Sequence, residues 1–441
     1  MNTLPTRDVR ELIDTHPVSL FQFRIVALCF LVVALDGFDT AAIGFLAPYV
    51  RGEWALAPAA MASMFGAGLF GLMLGAFLFG PLADRVGRRT ILVCAVAWFG
   101  LACFASAFSP SLTVLIVLRF ITGLGLGGAM PNAITLTAEY CPERRRSTML
   151  TTMFCGFSLG GAFGGLVTAS LAEHFGWRSV LLAGGLAPLF LVPVLLLLLP
   201  ESVRFMIAKG APHERIARTM RHLAPSVSLD DDQPFTVVDA KASSPLTSVL
   251  ELFRHGRWRS TLLLWITFVM GLLIIYLLSS WLPTFLHAAG TSLHSAALIS
   301  ALMQTGGIVG ALGMGTAMDR VQPTRVIAIA YCLGSAAIFA IGRTDSLILT
   351  GMAVFLTGCC ISGSQSCISV MAASYYPTHC RATGVSWASG IGRMGSVVGS
   401  MAGAAMLAAG WRGATIFSVM AIPALLAAAS MFALGTLKRM A

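Results

Sequence analysis

Two acids one helical turn apart, in Leu35-Asp36-Gly37-Phe38-Asp39, are the only charges between Arg24 and Arg51. A carboxylate in the middle of so apolar a run costs on the order of 3 kcal/mol, so the pair needs a purpose, and the usual one is ion or proton handling. Arg119 and Arg393 stand in similarly apolar surroundings. A guanidinium stays charged and can meet a carboxylate through two parallel hydrogen bonds. These four residues therefore offer a fixed cation for an organic anion and a carboxylate that titrates. Two carboxylates this close in a low dielectric cannot both stay ionised cheaply, so the pair is expected to take up a proton as a coupled unit. A purely structural Asp39–Arg119 pair is the other reading of the same residues.

The elements that must hold these groups are set by composition. The mean hydropathy is +0.83, with 57% hydrophobic and 11% charged residues, against about 25% charged in soluble domains. That excludes a soluble globular protein. Apolar runs of about 20 residues, long enough to span as helices, lie at roughly 22–48, 58–82, 90–108, 111–138, 148–172 and 179–199, then 259–287, 294–318, 323–342, 346–374, 381–408 and 413–436. The expected fold is all-α, with twelve membrane-spanning helices.

An even number of spans puts both termini on one side, and 23 of the 29 basic residues flank that side. Both termini are therefore expected to be cytoplasmic. The net charge of +10 follows from this distribution and does not call for nucleic acid. The start of the chain has no signal-peptide pattern. The ten cysteines have no metal-ligand spacing and read as packing residues. No nucleophile, metal or cofactor constellation points to an enzyme.

A repeat with an offset of 235 residues organises the chain. Asp84-Arg85-Val86 recurs as Asp319-Arg320-Val321, Pro142 with Arg146 as Pro377 with Arg381, and Gly71, Gly75 and Gly80 as Gly306, Gly310 and Gly315. Six spans per half preserve orientation, so the halves are parallel repeats about an axis along the membrane normal, with a cavity between them. The expected organisation is an N-terminal six-helix bundle (1–199), a cytoplasmic linker (200–258) with one or two surface helices, and a C-terminal bundle (259–441). At about 1.5 Å per residue, Asp36 and Arg393 reach similar mid-membrane depth. The repeat partners of Asp36, Asp39 and Arg119 are Gly271, Ile274 and Val354, and that of Arg393 is Ser158. The charges break the symmetry, as functional groups do more often than scaffold.

The loop Gly80 to Arg89, containing Asp84, Arg85, Arg88 and Arg89, and its partner around Asp319 and Arg320 resemble the cytoplasmic signature of the major facilitator superfamily. By the pseudo-twofold, Asp84 is expected to face Arg381 and Asp319 to face Arg146, latching the cytoplasmic side. Glu139 is assigned to the same cluster, with Arg144–Arg146. Phe38, Tyr276, Trp281, Gln304, Gln365 and Trp387 are expected to line a pocket with Arg119 and Arg393. Rings suit a flat apolar ligand and amides a ring hydroxyl, although core or lipid-facing packing is the alternative for each.

Further strings resemble one branch of that superfamily, the aromatic acid:proton symporters, and within it the 4-hydroxybenzoate/protocatechuate permeases. They are Leu35 to Ala42, Leu118-Arg119-Phe120, Met130-Pro131-Asn132-Ala133, Pro200 to Phe205, Ser280 to Thr284, Arg381 to Trp387 and Gly390 to Arg393. The resemblance implies proton-driven uptake of aromatic carboxylates across a bacterial inner membrane by alternating access, with no cofactor beyond the coupling proton. It also implies that Asp36, Asp39, Asp84 and Arg119 are needed. Phe38, where such permeases often carry Leu or Tyr, leaves the ring substituents open. The expected partners are the substrate, protons and the lipid bilayer, for a chain acting as a monomer. Export of aromatic compounds is the nearest alternative, and a non-transporting chemoreceptor a more distant one.

Overall fold

A computed structural model of the chain describes residues 7–223, 235–236, 252–253, 257–318, 320–344, 346–376 and 381–440. Among these residues, twelve helices are long and apolar enough to cross a membrane. The first six are α1 (Leu20–Trp54), α2 (Pro58–Val86), α3 (Arg88–Ser106), α4 (Leu112–Tyr140), α5 (Arg146–Phe175) and α6 (Trp177–Leu198). The second six are α7 (Trp258–Ala288), α8 (Leu293–Met318), α9 (Pro323–Ile341), α10, α11 (Arg381–Ala408) and α12 (Gly413–Met440). Helix α10 runs over Leu347–Thr357, passes through a π turn at Gly358–Ser362, and continues over Gly363–Tyr375.

Helices dominate because every backbone polar group in a membrane must find its partner within the protein. Local signals set the boundaries. Ser19 and Gln22 form a reciprocal capping box at the start of α1, which satisfies two otherwise unpaired backbone donors. Single glycines, Gly87 at φ 114° and Gly176 at φ 77°, join α2 to α3 and α5 to α6, in conformations that a side chain disfavours.

The repeat read from the sequence is also a repeat of contacts. A Cβ on Gly71 or Gly75 would strike the carbonyl of Phe120 or Leu124 where α2 crosses α4; 235 residues on, Gly306 and Gly310 press against the carbonyls of Phe355 and Cys359 where α8 crosses α10. Gly160 abuts the Ala34 carbonyl between α5 and α1, and its counterpart Gly395 abuts the Val269 carbonyl between α11 and α7. Small residues allow such approaches. Gly160→Val is therefore expected to cost about 1–3 kcal/mol or more by overpacking and to remove most monodisperse protein in fluorescence-detected gel filtration. Gly313→Val, where an added Cβ meets nothing within 4 Å, is expected to behave as wild type.

The described contacts between the two bundles run from mid-membrane to the face away from the chain termini. Gly44 packs against the Ser279 carbonyl, Gly66 faces Met401, and Gly165 touches Ala301. The Phe65 and Trp281 rings meet edge to face at 5.1 Å. Near the end of that face, His294 of α8 lies 3.2 Å from Glu173 of α5. The bundles are thus closed together over that half.

The linker helix His213–Leu223, expected as a surface element, buries Ile216, Ala217, Met220 and Leu223. These side chains belong to one apolar cluster with Val9, Leu12 and Ile13 of the short helix Val9–Thr15 and with residues at the foot of α1, and Phe21 stacks on His222 at 5.7 Å. Asp14 accepts the Glu143 backbone N–H at 2.7 Å, and Arg7–Asp8 pairs with Phe235–Thr236 as a two-residue parallel strand pair. The N-terminal tail and this part of the linker form a cap on the first bundle.

Candidate functional site

The acid pair of α1 is divided between two environments. Asp39 turns toward α4, where Arg119 Nη1 donates to both its oxygens at 3.1 and 3.2 Å. Arg119 Nη2 donates to Thr122 Oγ1 at 3.1 Å, and the Thr122 hydroxyl is itself anchored on the Leu118 carbonyl at 2.8 Å. The side chains of the pair are only 4% and 6% exposed. Sequence reading placed Arg119 against the substrate; here its charge is already matched by Asp39, inside the first bundle. The two residues are thus paired with each other within the first bundle.

Asp36, one turn earlier, is 1% exposed and has Thr40 as a hydrogen-bond donor at 3.3 Å. Among the described groups no cation lies within salt-bridge distance of it. The positive charge it feels is that of Arg393, which is partly exposed on α11 and acts on both Asp36 and Tyr276 of α7. Asp36 on the first bundle therefore lies within electrostatic range of Arg393 and Tyr276 on the second.

The remaining pocket candidates separate. Gln304 is buried on α8 with its amide over Gly161 of α5, at the bundle interface. Gln365 lies on α10 beside Gly271 and Tyr331, within the second bundle. Phe38 does not join them, because its ring packs against Gly184 of α6. At about 100° per residue, a side chain two positions after Asp36 must leave the opposite side of α1.

Trp281 is wholly buried, donates its indole N–H to the Ser400 carbonyl at 2.6 Å, and lies on Gly403. It is a packing residue of the closed half. Trp387 is 45% exposed and stacks on Trp265 at 6.3 Å. Tyr331, fully buried on α9, was not anticipated, and nothing in its sequence context distinguishes it from a core aromatic.

The expected latch contacts, Asp84 with Arg381 and Asp319 with Arg146, involve groups that are not described. The side chains of Asp84 and Arg381, and all of Asp319, lie outside the described residues. Arg85 and Arg320 are exposed, and Arg146 approaches Glu143 at 3.5 Å. Glu139 does not join Arg144–Arg146. It pairs with Arg88 and accepts from Ser202, while the Arg89 backbone N–H donates to Glu201 at 3.0 Å. This network ties the α2–α3 turn, the end of α4 and the start of the linker together within the first bundle.

Two six-helix bundles related by a parallel repeat, with an acid on one in electrostatic range of a guanidinium on the other, are the architecture of an alternating-access transporter. The Major Facilitator Superfamily profile matches residues 29–394, and the chain belongs to that superfamily, in its aromatic acid transporter family. Relatives include the 4-hydroxybenzoate transporter PcaK of Pseudomonas aeruginosa, 46% identical over 97% of this chain and 96% of the relative. The gallate transporter of Pseudomonas putida is 46% identical over 97% and 95%, and the benzoate transport protein of Acinetobacter baylyi is 28% identical over 96% and 92%.

Among solved structures, the partially occluded inward-open xylose transporter XylE from E. coli superposes with a TM-score of 0.74 at 18% identity, covering 94% of this chain and 98% of the other. At that identity the likeness speaks for the fold. The protein is a membrane transporter and not an enzyme.

Proposed function

We propose that this transporter imports aromatic carboxylates such as 4-hydroxybenzoate, protocatechuate or benzoate across the bacterial inner membrane, each accompanied by a proton. The observation that carries the reading is the placement of Asp36. It is a buried carboxylate held by one hydroxyl, within electrostatic range of a guanidinium on the opposite bundle. Such an acid is costly to keep ionised, and it gains when that cation approaches or when a proton arrives. An anionic substrate that takes Arg393 for itself competes with Asp36 for the same charge. Binding the anion thereby favours protonation of Asp36, which is the linkage a symporter requires.

The names of the relatives support the substrate class. The lysine and arginine distribution supports cytoplasmic termini, and with that orientation the closed half lies on the outer side. Proteoliposomes given labelled 4-hydroxybenzoate and an imposed inward proton gradient are expected to accumulate it, and a protonophore to abolish the accumulation. Arg393→Gln is expected to lower uptake efficiency about 10–100-fold, the worth of a charge-assisted hydrogen bond. Uptake indifferent to the protonophore overturns the symport, and net efflux down the same gradient favours export.

A further inference from the structure

The repeat partner of Asp36 is Gly271 on α7, and the space a side chain would take there is filled from two directions. A Cβ on Gly271 would collide with both Gln365 Oε1 from α10 and the Tyr331 hydroxyl from α9. Both polar atoms are enclosed, and neither has a hydrogen-bond partner among the described groups. Tyr331 is wholly buried, while Gln365 is partly exposed. Native proteins leave few buried polar atoms unpaired, and two that converge on one glycine mark a place prepared for something else. The π turn Gly358–Ser362 lies within one turn of Gln365, and such turns recur at functional sites in helices.

The chemistry of the two atoms selects the occupant. A carbonyl oxygen needs a donor, and a phenol can give its proton or accept one. A hydroxyl does both at once, and it serves equally with the amide rotated, accepting from Nε2. A carboxylate has no proton to give to Oε1, and an apolar ring edge leaves both atoms unpaired. Gly271 lies five residues before Tyr276 on α7, about 140° around the helix from it, so it faces α9 and α10 within the second bundle.

Resting on the reading above, the geometry points to Tyr331, Gln365 and Gly271 as a subsite for the ring hydroxyl of a hydroxylated aromatic acid. A site built around a hydroxyl disfavours the analogue lacking it, because its own buried groups are then left unpaired. Gly271 belongs to the subsite because a side chain there would displace both polar atoms.

The test compares initial uptake of labelled 4-hydroxybenzoate and labelled benzoate in proteoliposomes for wild type, Tyr331→Phe, Gln365→Leu and Gly271→Ala, normalised to protein recovered as a monodisperse peak. Tyr331→Phe and Gln365→Leu are expected to raise KM for 4-hydroxybenzoate at least about tenfold while changing KM for benzoate less than about twofold, with kcat for benzoate kept. Gly271→Ala is expected to do the same by filling the space. Variants that weaken both substrates equally, or neither, overturn the subsite and leave a structural cluster or a water site. Wild type that carries neither acid overturns the transport reading and the subsite with it. Tyr331→Phe removes one oxygen and keeps the ring, so it tests the hydroxyl even where the other variants fail to fold.

Discussion

Arg119→Ala is expected to cost about 3–5 kcal/mol, because it strands a buried carboxylate. Asp39 is 6% exposed on its side chain, and both its oxygens take hydrogen bonds from one nitrogen of Arg119. Against a total stability of about 5–15 kcal/mol, the loss is large. For a bundle of this size it corresponds to a fall in melting temperature on the order of 10 °C, readable by thermal gel filtration. The double variant Asp39→Asn with Arg119→Gln removes both charges with little change of shape and is expected to recover most of the lost stability. The comparison separates a scaffold pair from a substrate ligand. Arg119→Ala protein that melts like wild type and loses only substrate affinity would return Arg119 to the binding site.

Asp36→Asn is expected to abolish accumulation while leaving exchange. The amide keeps the shape and the bond to Thr40 but cannot take up and release a proton. If one proton accompanies each anion, one pH unit of gradient is worth ~1.4 kcal/mol and sustains about tenfold accumulation. The variant should bring internal and external substrate to equal concentration under that gradient. Exchange of labelled for unlabelled substrate should persist within a few-fold, since it needs alternation but no net proton movement. Uphill accumulation by the variant at the wild-type ratio would move the proton site elsewhere.

Much of the fold was legible because the bilayer leaves few options. Spans must be apolar and about twenty residues long, and the offset linking Gly71 to Gly306 and Gly160 to Gly395 reappears as matching helix crossings. The site was legible in its charges and less so in its directions. Asp36, Phe38 and Asp39 are close in sequence, but helical rotation points them at the opposite bundle, at α6 and at α4. The exclusion of Phe38 was available from the angle alone. The sharing of Arg119 with Asp39 was not, because it depends on how α1 and α4 pack.

Trp281 shows the limit differently: an indole in an apolar helix looks like a ligand platform until its N–H is found on the Ser400 carbonyl. The Gln365 and Tyr331 cluster was half visible. Gln365 stands out as an amide among apolar residues, but its partner across Gly271 comes from a different helix.

The Asp39–Arg119 pair also bears on how the protein is made. Its members are 80 residues apart in sequence, and α1 leaves the ribosome first, carrying both acids. Until α4 arrives, the first helix holds an unmatched negative charge at membrane depth, which weakens its partition into lipid and favours its retention beside the insertion machinery. The pair can therefore form only once the fourth helix has brought its arginine to that depth.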